Sequence, residues 1–195
     1  MTTLLLARHG ETDWNGERRW QGHSDQPLNE TGRGQAAELA ASLAGTQVAA
    51  IYSSDLARAR ETAEIVGERL GLAVVVDPGL REVDVGNWSG LTHDEIPQLH
   101  PEGFARWQDG RHGWEGGESY DELGARAVAT LLRLAERHDG ETVLVVAHGG
   151  TIRACRAAAA GVTYRELREA GLPPTGNCSV HELRVAGGRL TTPIG

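Results

Sequence analysis

Two short apolar segments of this chain end in the same way, with a histidine followed by glycine. Leu4–Ala7 runs into Arg8–Gly10, and Val143–Ala147 runs into His148–Gly150. Short apolar runs of this kind are typical of strands buried in a parallel sheet. Ligands of such sheets bind beyond the carboxyl ends of the strands, so both histidines are predicted to face one crevice. Taken alone, the two segments also fit two independent strands with incidental histidines.

The rest of the chain alternates between strand patterns and helix patterns. Further strand patterns occupy Val48–Tyr52, Ala73–Val76 and Ser179–Val185. Apolar residues recur with helical spacing over Gly34–Leu43, Asp55–Leu70 and Tyr120–His138. This alternation predicts an α/β fold, a three-layer α/β/α sandwich with a mostly parallel central sheet. Because its length is typical of one domain, the chain is expected to form a single domain over residues 1–195.

The segment 78–117 differs from its surroundings. It is rich in glycine, tryptophan, aspartate and histidine, and carries only short helical patterns, at Thr92–Leu99 and Pro101–Gln108. We expect this segment to be a small cap insertion that lies over the edge of the sheet and covers a site there.

Charge and composition exclude several classes of partner. A formal net charge of −8 argues against nucleic acid, whose phosphates require a basic surface. The apolar runs fall far short of the ~20 residues of a membrane span. The N-terminus lacks the pattern of a secretory signal, so a cytoplasmic location is expected.

Cys155 and Cys178 are too few for a disulfide framework or a zinc site and are predicted to be buried thiols.

All 19 basic residues are arginine. Any anion-binding site in this chain must therefore use guanidinium groups, helix N-termini or histidine. Two further strand ends carry suitable charges: Val48–Tyr52 leads into a helix with Arg58 in its first turns, and Ala73–Val76 leads to Glu82. Each of these two charges, considered alone, is more simply a surface residue.

The sequence at these strand ends resembles the histidine phosphatase superfamily, the phosphoglycerate-mutase-like proteins with an Arg-His-Gly motif. The resemblance covers most of the chain up to about residue 160, in family order. It is carried by Leu6–Asn15, Gln21–Gly22, Asp25–Leu28, Thr31–Ala36, Ser53–Ala63, Leu80–Glu82, Gly86–Leu91, Gly116–Ser119 and Ala147–Gly150.

The resemblance implies a role for each charged residue of the site. His9 is implied to be the nucleophile that becomes a phosphohistidine. Arg8, Arg58 and His148 are implied to hold the phosphoryl oxygens, and Glu82 to act as general acid and then as general base. No metal or cofactor is implied, because protein groups supply the cationic charge.

Further residues are predicted to contact the substrate. Those near the phosphoryl group are Asn15, Gln21, Gly22 and Gly149, and those of the cap are Trp88, Trp107 and Trp114. Other cap residues that could set specificity are Leu91, His93, Phe104, Arg106, Arg111 and His112. The alternative for the tryptophans is that they pack the interior of the cap.

Two departures from the mutases favour a phosphomonoesterase that acts on small phosphorylated metabolites. The segment Val83–Ala147 lacks the longer basic insertion of cofactor-dependent mutases, and Gln21–Gly22 stands where they tend to have Thr-Gly. Three of the arginines in this segment fall on the predicted long helix and are predicted to be solvated: Arg126, Arg133 and Arg137. A cofactor-dependent phosphoglycerate mutase is the first alternative. A non-catalytic phospholigand-binding module is the second, and the intact set of charged residues argues against it.

The cap also indicates a branch of the family. Trp88–Ile96 resembles sugar-phosphoglycerate phosphatases such as glucosyl-3-phosphoglycerate phosphatase. Broad-specificity phosphatases and α-ribazole-phosphate phosphatases share most of the same motifs and are the alternatives. Beyond about residue 160 no functional motif is evident. Arg153, Arg156, Arg165 and Arg168 are predicted to be charges on helix surfaces or contacts of a homodimer.

Overall fold

The two segments that end in histidine are neighbouring strands of one sheet in the computed structural model, which describes residues 1–171 and 175–193. Its strands are β1 (Thr2–Arg8), β2 (Val48–Ser53), β3 (Val74–Val76), β4 (Thr142–Ala147), β5 (Val180–Ala186) and β6 (Arg189–Thr191). Their order across the sheet is β3-β2-β4-β1-β5-β6. The first four are parallel, whereas β5 runs antiparallel to β1 and β6 antiparallel to β5.

Helices cover both faces of this sheet. They are α1 (Asp13–Gly16), α2 (Glu30–Ser42), α3 (Ala57–Leu70), α4 (Ile96–Leu99), α5 (Pro101–Gln108), α6 (Tyr120–Arg137), α7 (Gly149–Ala160) and α8 (Tyr164–Glu169). Helices α6 and α7 pack on one face and α2 and α3 on the other. The predicted three-layer α/β/α architecture is therefore confirmed, while α1, α8 and β6 were not predicted.

The side chains of β1 and β4 point alternately to the two faces of the sheet, and each face has its own hydrophobic core. Leu4 and Leu6 point to the face covered by α6 and α7, together with Val143 and Val145. The intervening residues of both strands, among them Ala7, point to the face covered by α2 and α3. Because successive side chains of a strand point to opposite faces, a continuous apolar run is buried only between two layers.

Local capping sets the helix bounds. Ser119 accepts a hydrogen bond from the backbone N–H of Glu122, whose side chain returns the contact, so α6 begins with a capping box. Asn29 accepts from the N–H of Gly32, which starts α2 at Glu30 rather than at the predicted Gly34. Helix α3 ends at Gly71, whose φ of +69° is readily adopted only by glycine.

The cap has its own apolar core. Val83, Val85, Ile96 and the indoles of Trp88 and Trp114 pack against α6 and α7. The two indole side chains are 0% and 1% exposed, with ring centroids 5.6 Å apart. Their predicted role in substrate binding is corrected, because both rings form the interior of the cap.

Within residues 1–171 and 175–193, no helix has the length and apolar character that a membrane crossing requires.

The burial of Trp88 in the core of the cap predicts how its replacement changes the free energy of unfolding. Trp88→Ala should lower the free energy of unfolding by about 3–5 kcal/mol, since it leaves a large cavity in a packed interior. Leu99→Ala is the matched control, because Leu99 lies in the cap but is 60% exposed, and its effect should stay within about 0.5 kcal/mol. Urea unfolding monitored by circular dichroism measures both values. Equal effects of the two substitutions would contradict the assignment of Trp88 to a cap core.

Candidate active site

The register of β1 and β4 places the two histidines side by side. Arg8 pairs with Ala147 at the carboxyl ends of the two parallel strands, so His9 and His148 leave the sheet at the same level. Their ring centroids lie 5.2 Å apart. The predicted common crevice is thus present, and it begins at this pair of rings.

A cavity of about 580 Å³ opens beside His9. It lies between the strand ends, the loop after α1, the cap and the first residues of α7. Its lining includes Arg8, His9, Trp14, Asn15, Arg18, Arg19, Trp20, Gln21, Gly22, Arg58, Glu82, His93, Trp107, Tyr120, Gly149, Gly150, Arg153, Tyr164, Arg168 and Thr175.

The His9 ring is held as one neutral tautomer. Its Nδ1 lies 2.6 Å from the carbonyl oxygen of Gly10, and a carbonyl oxygen only accepts. Nδ1 therefore carries the proton, and the lone pair is on Nε2. Burial lowers the pKa of His9 well below its usual range, and the charges of Arg58 and Arg8 lower it further. The ring is therefore neutral near pH 7.

His148 is fully buried and has two unsatisfied ring nitrogens. Neither Nδ1 nor Nε2 has a hydrogen-bond partner among the described residues. Burial lowers the pKa of His148 well below its usual range, and the charges of Arg58 and Arg8 lower it further. As a neutral ring it has one N–H to donate and one lone pair to offer.

Two arginines bring fixed positive charge to the histidine pair. Arg58 is only 1% exposed; its Nη1 donates to the Ser24 carbonyl at 2.8 Å and its Nη2 to the Gly22 carbonyl at 2.9 Å. Burial lowers the pKa of Arg58 to about 10, so it remains cationic near neutral pH. Arg8 donates from Nη1 to the Thr175 carbonyl at 2.6 Å. The Nε atoms of both arginines are buried without a partner among the described residues.

Glu82 is anchored at the start of α7. Its Oε2 accepts from the N–H of Gly150 at 3.0 Å, and its Oε1 accepts from the N–H groups of Thr151 at 3.1 Å and Val83 at 2.9 Å. The free N–H groups at this helix N-terminus are thereby bonded to the two carboxyl oxygens. The chain thereby fixes a carboxyl group close to the strand that carries His148.

Arg126 holds the segment that carries Glu82, which corrects the prediction that it is solvated. Its guanidinium pairs with Glu118 and donates to the backbone carbonyls of Gly79, Arg81 and Glu82 at 3.0–3.3 Å. Of the other two arginines in that prediction, Arg133 pairs with Asp77, and its side chain is 44% exposed.

The remaining residues predicted near the phosphoryl group also lie at the cavity. Asn15 caps the turn of α1 through Oδ1, which accepts from the N–H of Thr12 at 3.1 Å. Gln21 is buried, and its Oε1 has no partner among the described residues. Gly22 has a φ of +48°, and its carbonyl oxygen accepts from Arg58. Gly149 is the first residue of α7 and faces Arg8.

The cap contributes fewer residues to the cavity than predicted. Trp107 and His93 line it. Arg106, Arg111 and His112 instead border a neighbouring cavity of about 500 Å³, which shares Tyr120 and Tyr164 with the first. Leu91 and Phe104 pack against the cap core.

Two arginines that were predicted to be surface charges belong to the cavity wall. Arg153 of α7 and Arg168 of α8 both line it, whereas Arg156 and Arg165 lie outside its described lining. Arg153 is four residues after Gly149 and therefore on the same face of α7, a signal available in the sequence. Tyr120 and Tyr164 were also missed, because nothing in their local pattern separates a cavity tyrosine from a core one.

Across the described ranges, no group of three or more His, Cys, Asp and Glu side chains is arranged to hold a metal ion. Neither cysteine is in the described lining of the cavity. Burial raises the pKa of Cys155 to about 12 and that of Cys178 to about 11, and Cys178 is half-buried rather than buried as predicted.

Comparison with family models gives one match over almost the whole chain. Residues 4–192 match the model described as histidine phosphatase superfamily (branch 1). The chain belongs to this superfamily. The resemblance drawn from the Arg-His-Gly motif and the expected class, a histidine phosphatase, are confirmed.

Several curated proteins are similar to this chain. Phosphoglycerate mutase-like protein 4 of Arabidopsis thaliana is 43% identical over 155 residues, covering 77% of this chain and 67% of that protein. Phosphoserine phosphatase 1 of Hydrogenobacter thermophilus is 35% identical over 183 residues, with 93% and 87% covered. Glucosyl-3-phosphoglycerate phosphatase of Mycobacterium tuberculosis is 43% identical over 164 residues, with 80% and 74% covered.

Solved structures agree with these relatives. Bacillus stearothermophilus YhfR superposes with a TM-score of 0.89 at 38% identity, covering 100% of this chain and 96% of that one. A mycobacterial glucosyl-3-phosphoglycerate phosphatase solved with VO3 superposes with a TM-score of 0.85 at 38% identity, with 93% and 92% covered.

The buried histidines make stability depend on pH. Both are neutral in the folded chain because their pKa values are lowered, whereas the unfolded chain protonates them below about pH 6.5. The unfolded state then binds more protons, so stability falls as pH falls through that value. Between pH 7.5 and 5.5 each histidine should remove about 1.4 kcal/mol from the free energy of unfolding.

Urea unfolding at the two pH values measures this loss. The control is the double variant His9→Asn with His148→Asn, which retains every other titrating group. Its loss between pH 7.5 and 5.5 should be smaller than that of the wild type by about 2–3 kcal/mol. An identical loss in both proteins would mean that the two rings are not neutral in the fold.

Proposed function

We propose that this histidine phosphatase hydrolyses small phosphomonoesters by transferring the phosphoryl group to Nε2 of His9. One observation carries the proposal: three residues close enough to act on His9 have four buried nitrogen atoms without a hydrogen-bond partner among the described residues, namely Nε of Arg8, Nε of Arg58 and both ring nitrogens of His148. Buried polar groups are rarely left unsatisfied in folded proteins. A phosphoryl group beside His9 supplies acceptors for the Nε–H groups of the two arginines and for the single N–H of the neutral His148 ring.

The first step forms one bond and breaks another. Nε2 of His9 attacks phosphorus, and the bond from phosphorus to the ester oxygen breaks. Glu82, as a carboxylic acid, gives its proton to the departing oxygen, so the product leaves as an alcohol. Arg8 and Arg58 stabilise the charge on the phosphoryl oxygens in the transition state, and His148 donates its N–H.

The second step returns the enzyme to its starting state. Water enters where the alcohol has left, and the Glu82 carboxylate takes a proton from it as it attacks phosphorus. The bond between phosphorus and Nε2 of His9 breaks, and inorganic phosphate is released. Because Nδ1 of His9 stays bonded to the Gly10 carbonyl, the same nitrogen is the nucleophile in every cycle.

The substrates named for two relatives suggest where to look for the substrate of this chain. One relative is a phosphoserine phosphatase and another a glucosyl-3-phosphoglycerate phosphatase. The cavity of about 580 Å³ lies within the range of ~300–1,000 Å³ that is typical of small-molecule sites. A small phosphorylated metabolite is therefore proposed as substrate. The cytoplasmic location and the homodimer stay predictions.

Replacing the nucleophile should abolish the covalent step. His9→Ala should reduce phosphate release by at least about 10⁴-fold, because Ala lacks the nitrogen that accepts the phosphoryl group. The wild type, quenched in acid-free denaturant during turnover of p-nitrophenyl phosphate, should gain one phosphoryl mass on the peptide that contains His9. Substantial turnover by His9→Ala, or a phosphoryl mass on another peptide, would overturn the assignment. Isomerisation of 3-phosphoglycerate that requires an added bisphosphate primer, without net release of phosphate, would favour the mutase alternative.

Displacing the carboxyl group of Glu82 should slow the hydrolysis of a substrate to an extent that depends on its leaving group. A Cβ added at Gly150 overlaps Oε1 of Glu82, so Gly150→Ala must shift that carboxyl group. We expect kcat/KM for an alkyl phosphate to fall by about 10²-fold, while p-nitrophenyl phosphate, whose leaving group needs little protonation, is affected far less.

The control for this variant is Gly34→Ala, also within a helix and with nothing within 4 Å of the added Cβ. It should leave both rates unchanged. An equal loss for both substrates in Gly150→Ala would show that the displaced group is not the acid for the leaving oxygen.

A further inference from the structure

The segment that precedes β5 lies against the end of β1, although the sequence shows no functional motif there. The backbone N–H of Cys178 donates to the carbonyl oxygen of Arg8 at 3.1 Å and to that of His9 at 3.4 Å. The side-chain amide of Asn177 donates from Nδ2 to the same His9 carbonyl at 3.0 Å. Residues 168 positions apart in the chain are thereby joined at the histidine that is proposed as the nucleophile.

The peptide group between His9 and Gly10 is held at both of its ends. Its carbonyl oxygen accepts from Asn177, and its N–H donates to Oγ1 of Thr62 at 3.0 Å. Thr62 is fully buried in α3, and its hydroxyl donates to the Arg58 carbonyl at 2.7 Å. Because a peptide group is planar, these two bonds also fix the Cα of Gly10, from which the Gly10 carbonyl extends. That carbonyl binds Nδ1 of His9, so the held peptide group sets the orientation of the ring.

The amide of Asn177 also contacts a second residue of the site. Its Nδ2 lies 3.4 Å from Oδ1 of Asn15, a long hydrogen bond. The same Oδ1 accepts from the N–H of Thr12 at 3.1 Å and from its hydroxyl at 3.2 Å. Because these donors occupy the oxygen end of the Asn15 amide, its nitrogen end is the one available to a ligand in the cavity that Asn15 lines. One amide nitrogen with two hydrogens therefore contacts both His9 and Asn15.

Asn177 itself lies outside the described lining of the active-site cavity. It borders a separate cavity of about 410 Å³ beside α2. A side chain in this place is not positioned to touch the phosphoryl group. Its influence on the reaction therefore passes through the two residues that it binds.

We propose that Asn177 is a positioning residue for phosphoryl transfer, which holds the backbone of His9 and the amide of Asn15 in one fixed relation. The proposal rests on the proposed function, in which Nε2 of His9 attacks phosphorus. Attack requires that nitrogen, phosphorus and the leaving oxygen lie in line, and a displacement of about 1 Å can lower a rate by ~10²-fold. The guanidinium groups of Arg8 and Arg58 are bonded to other carbonyls, so binding of the phosphoryl group depends less on Asn177 than its transfer does.

Removal of the amide should lower kcat and leave KM nearly unchanged. Asn177→Ala should reduce kcat by about 10- to 100-fold, with KM within about threefold of the wild type, because the nucleophile is misaligned while the cations remain. The loss should be equal for p-nitrophenyl phosphate and glycerol 3-phosphate, since His9 attacks both. Displacement of the Glu82 acid, in contrast, slows mainly the second. Asn177→Asp keeps the shape of the side chain but lacks the amide N–H groups, so its loss should be at least as large.

The matched control is Ser179→Ala, from the same segment. The Ser179 hydroxyl donates to the Gly176 carbonyl at 2.7 Å, so this variant also removes one hydrogen bond of the segment while the bonds of Asn177 remain. Its kcat should stay within about twofold of the wild type.

Three kinetic outcomes would overturn the proposal. The first is a kcat within twofold of the wild type in both Asn177 variants. The second is an equal loss of kcat in Asn177→Ala and Ser179→Ala, which would mean that the segment contributes only stability. The third is a loss confined to glycerol 3-phosphate, which would place the effect on the acid. If circular dichroism shows that Asn177→Ala does not fold, Asn177→Asp is the deciding variant.

A measurement without turnover separates this proposal from the proposed function. The Nδ1 proton of His9 is bonded to the Gly10 carbonyl within a buried ring, so it should give a slowly exchanging proton NMR signal that is lost in His9→Ala. In Asn177→Ala the signal should exchange with water at least about tenfold faster, and in Ser179→Ala it should be unchanged. If the wild type releases no phosphate, faster exchange still supports the positioning of His9 by Asn177. An unchanged signal in Asn177→Ala overturns it.

Discussion

The pairing of β1 with β4 is the interaction on which the site depends. The two strands are parallel and end flush, with Arg8 opposite Ala147, so the residues that follow them emerge together. Each strand is anchored by apolar side chains on both faces of the sheet, which fixes its register, because a slip of one residue would exchange the two faces. The distance between the two histidine rings is thus set by the hydrophobic core of the whole sheet.

Burial of the site then controls its electrostatics. The same layers that fix the strands remove His9 and His148 from water, and burial is the main cause of their lowered pKa values. Two cations can be kept beside two neutral rings, because the guanidinium groups are bonded to backbone carbonyls rather than to carboxylates. A carboxylate partner would have neutralised the positive charge of each guanidinium group. That charge would then no longer have attracted an anionic ligand. Backbone carbonyls hold the geometry and leave that charge available.

The residues near the strand ends could be predicted from sequence, whereas those of the far wall could not. His9, His148, Arg58 and Glu82 follow strands directly or within a few residues, so periodicity and chain order locate them. Arg168 and Tyr164 depend on how α8 packs beside the cap, which no local pattern encodes. Arg153 is the exception, because its spacing of four residues from Gly149 places it on the same face of α7. Trp88 was mispredicted for the same reason: a tryptophan in a glycine-rich segment fits a ligand wall and a small core equally well, and only packing decides between them.

The stacked rings of Tyr120 and Tyr164 separate the catalytic space from a second one of about 500 Å³. This partition consists of side chains, not of main chain, and it belongs to α6 and α8 rather than to the strands. Exchange of either ring for a small residue would join the two spaces without altering β1 or β4. The histidine pair and this partition therefore belong to separate elements of the fold, so the size of the cavity can change without a change at the strand ends.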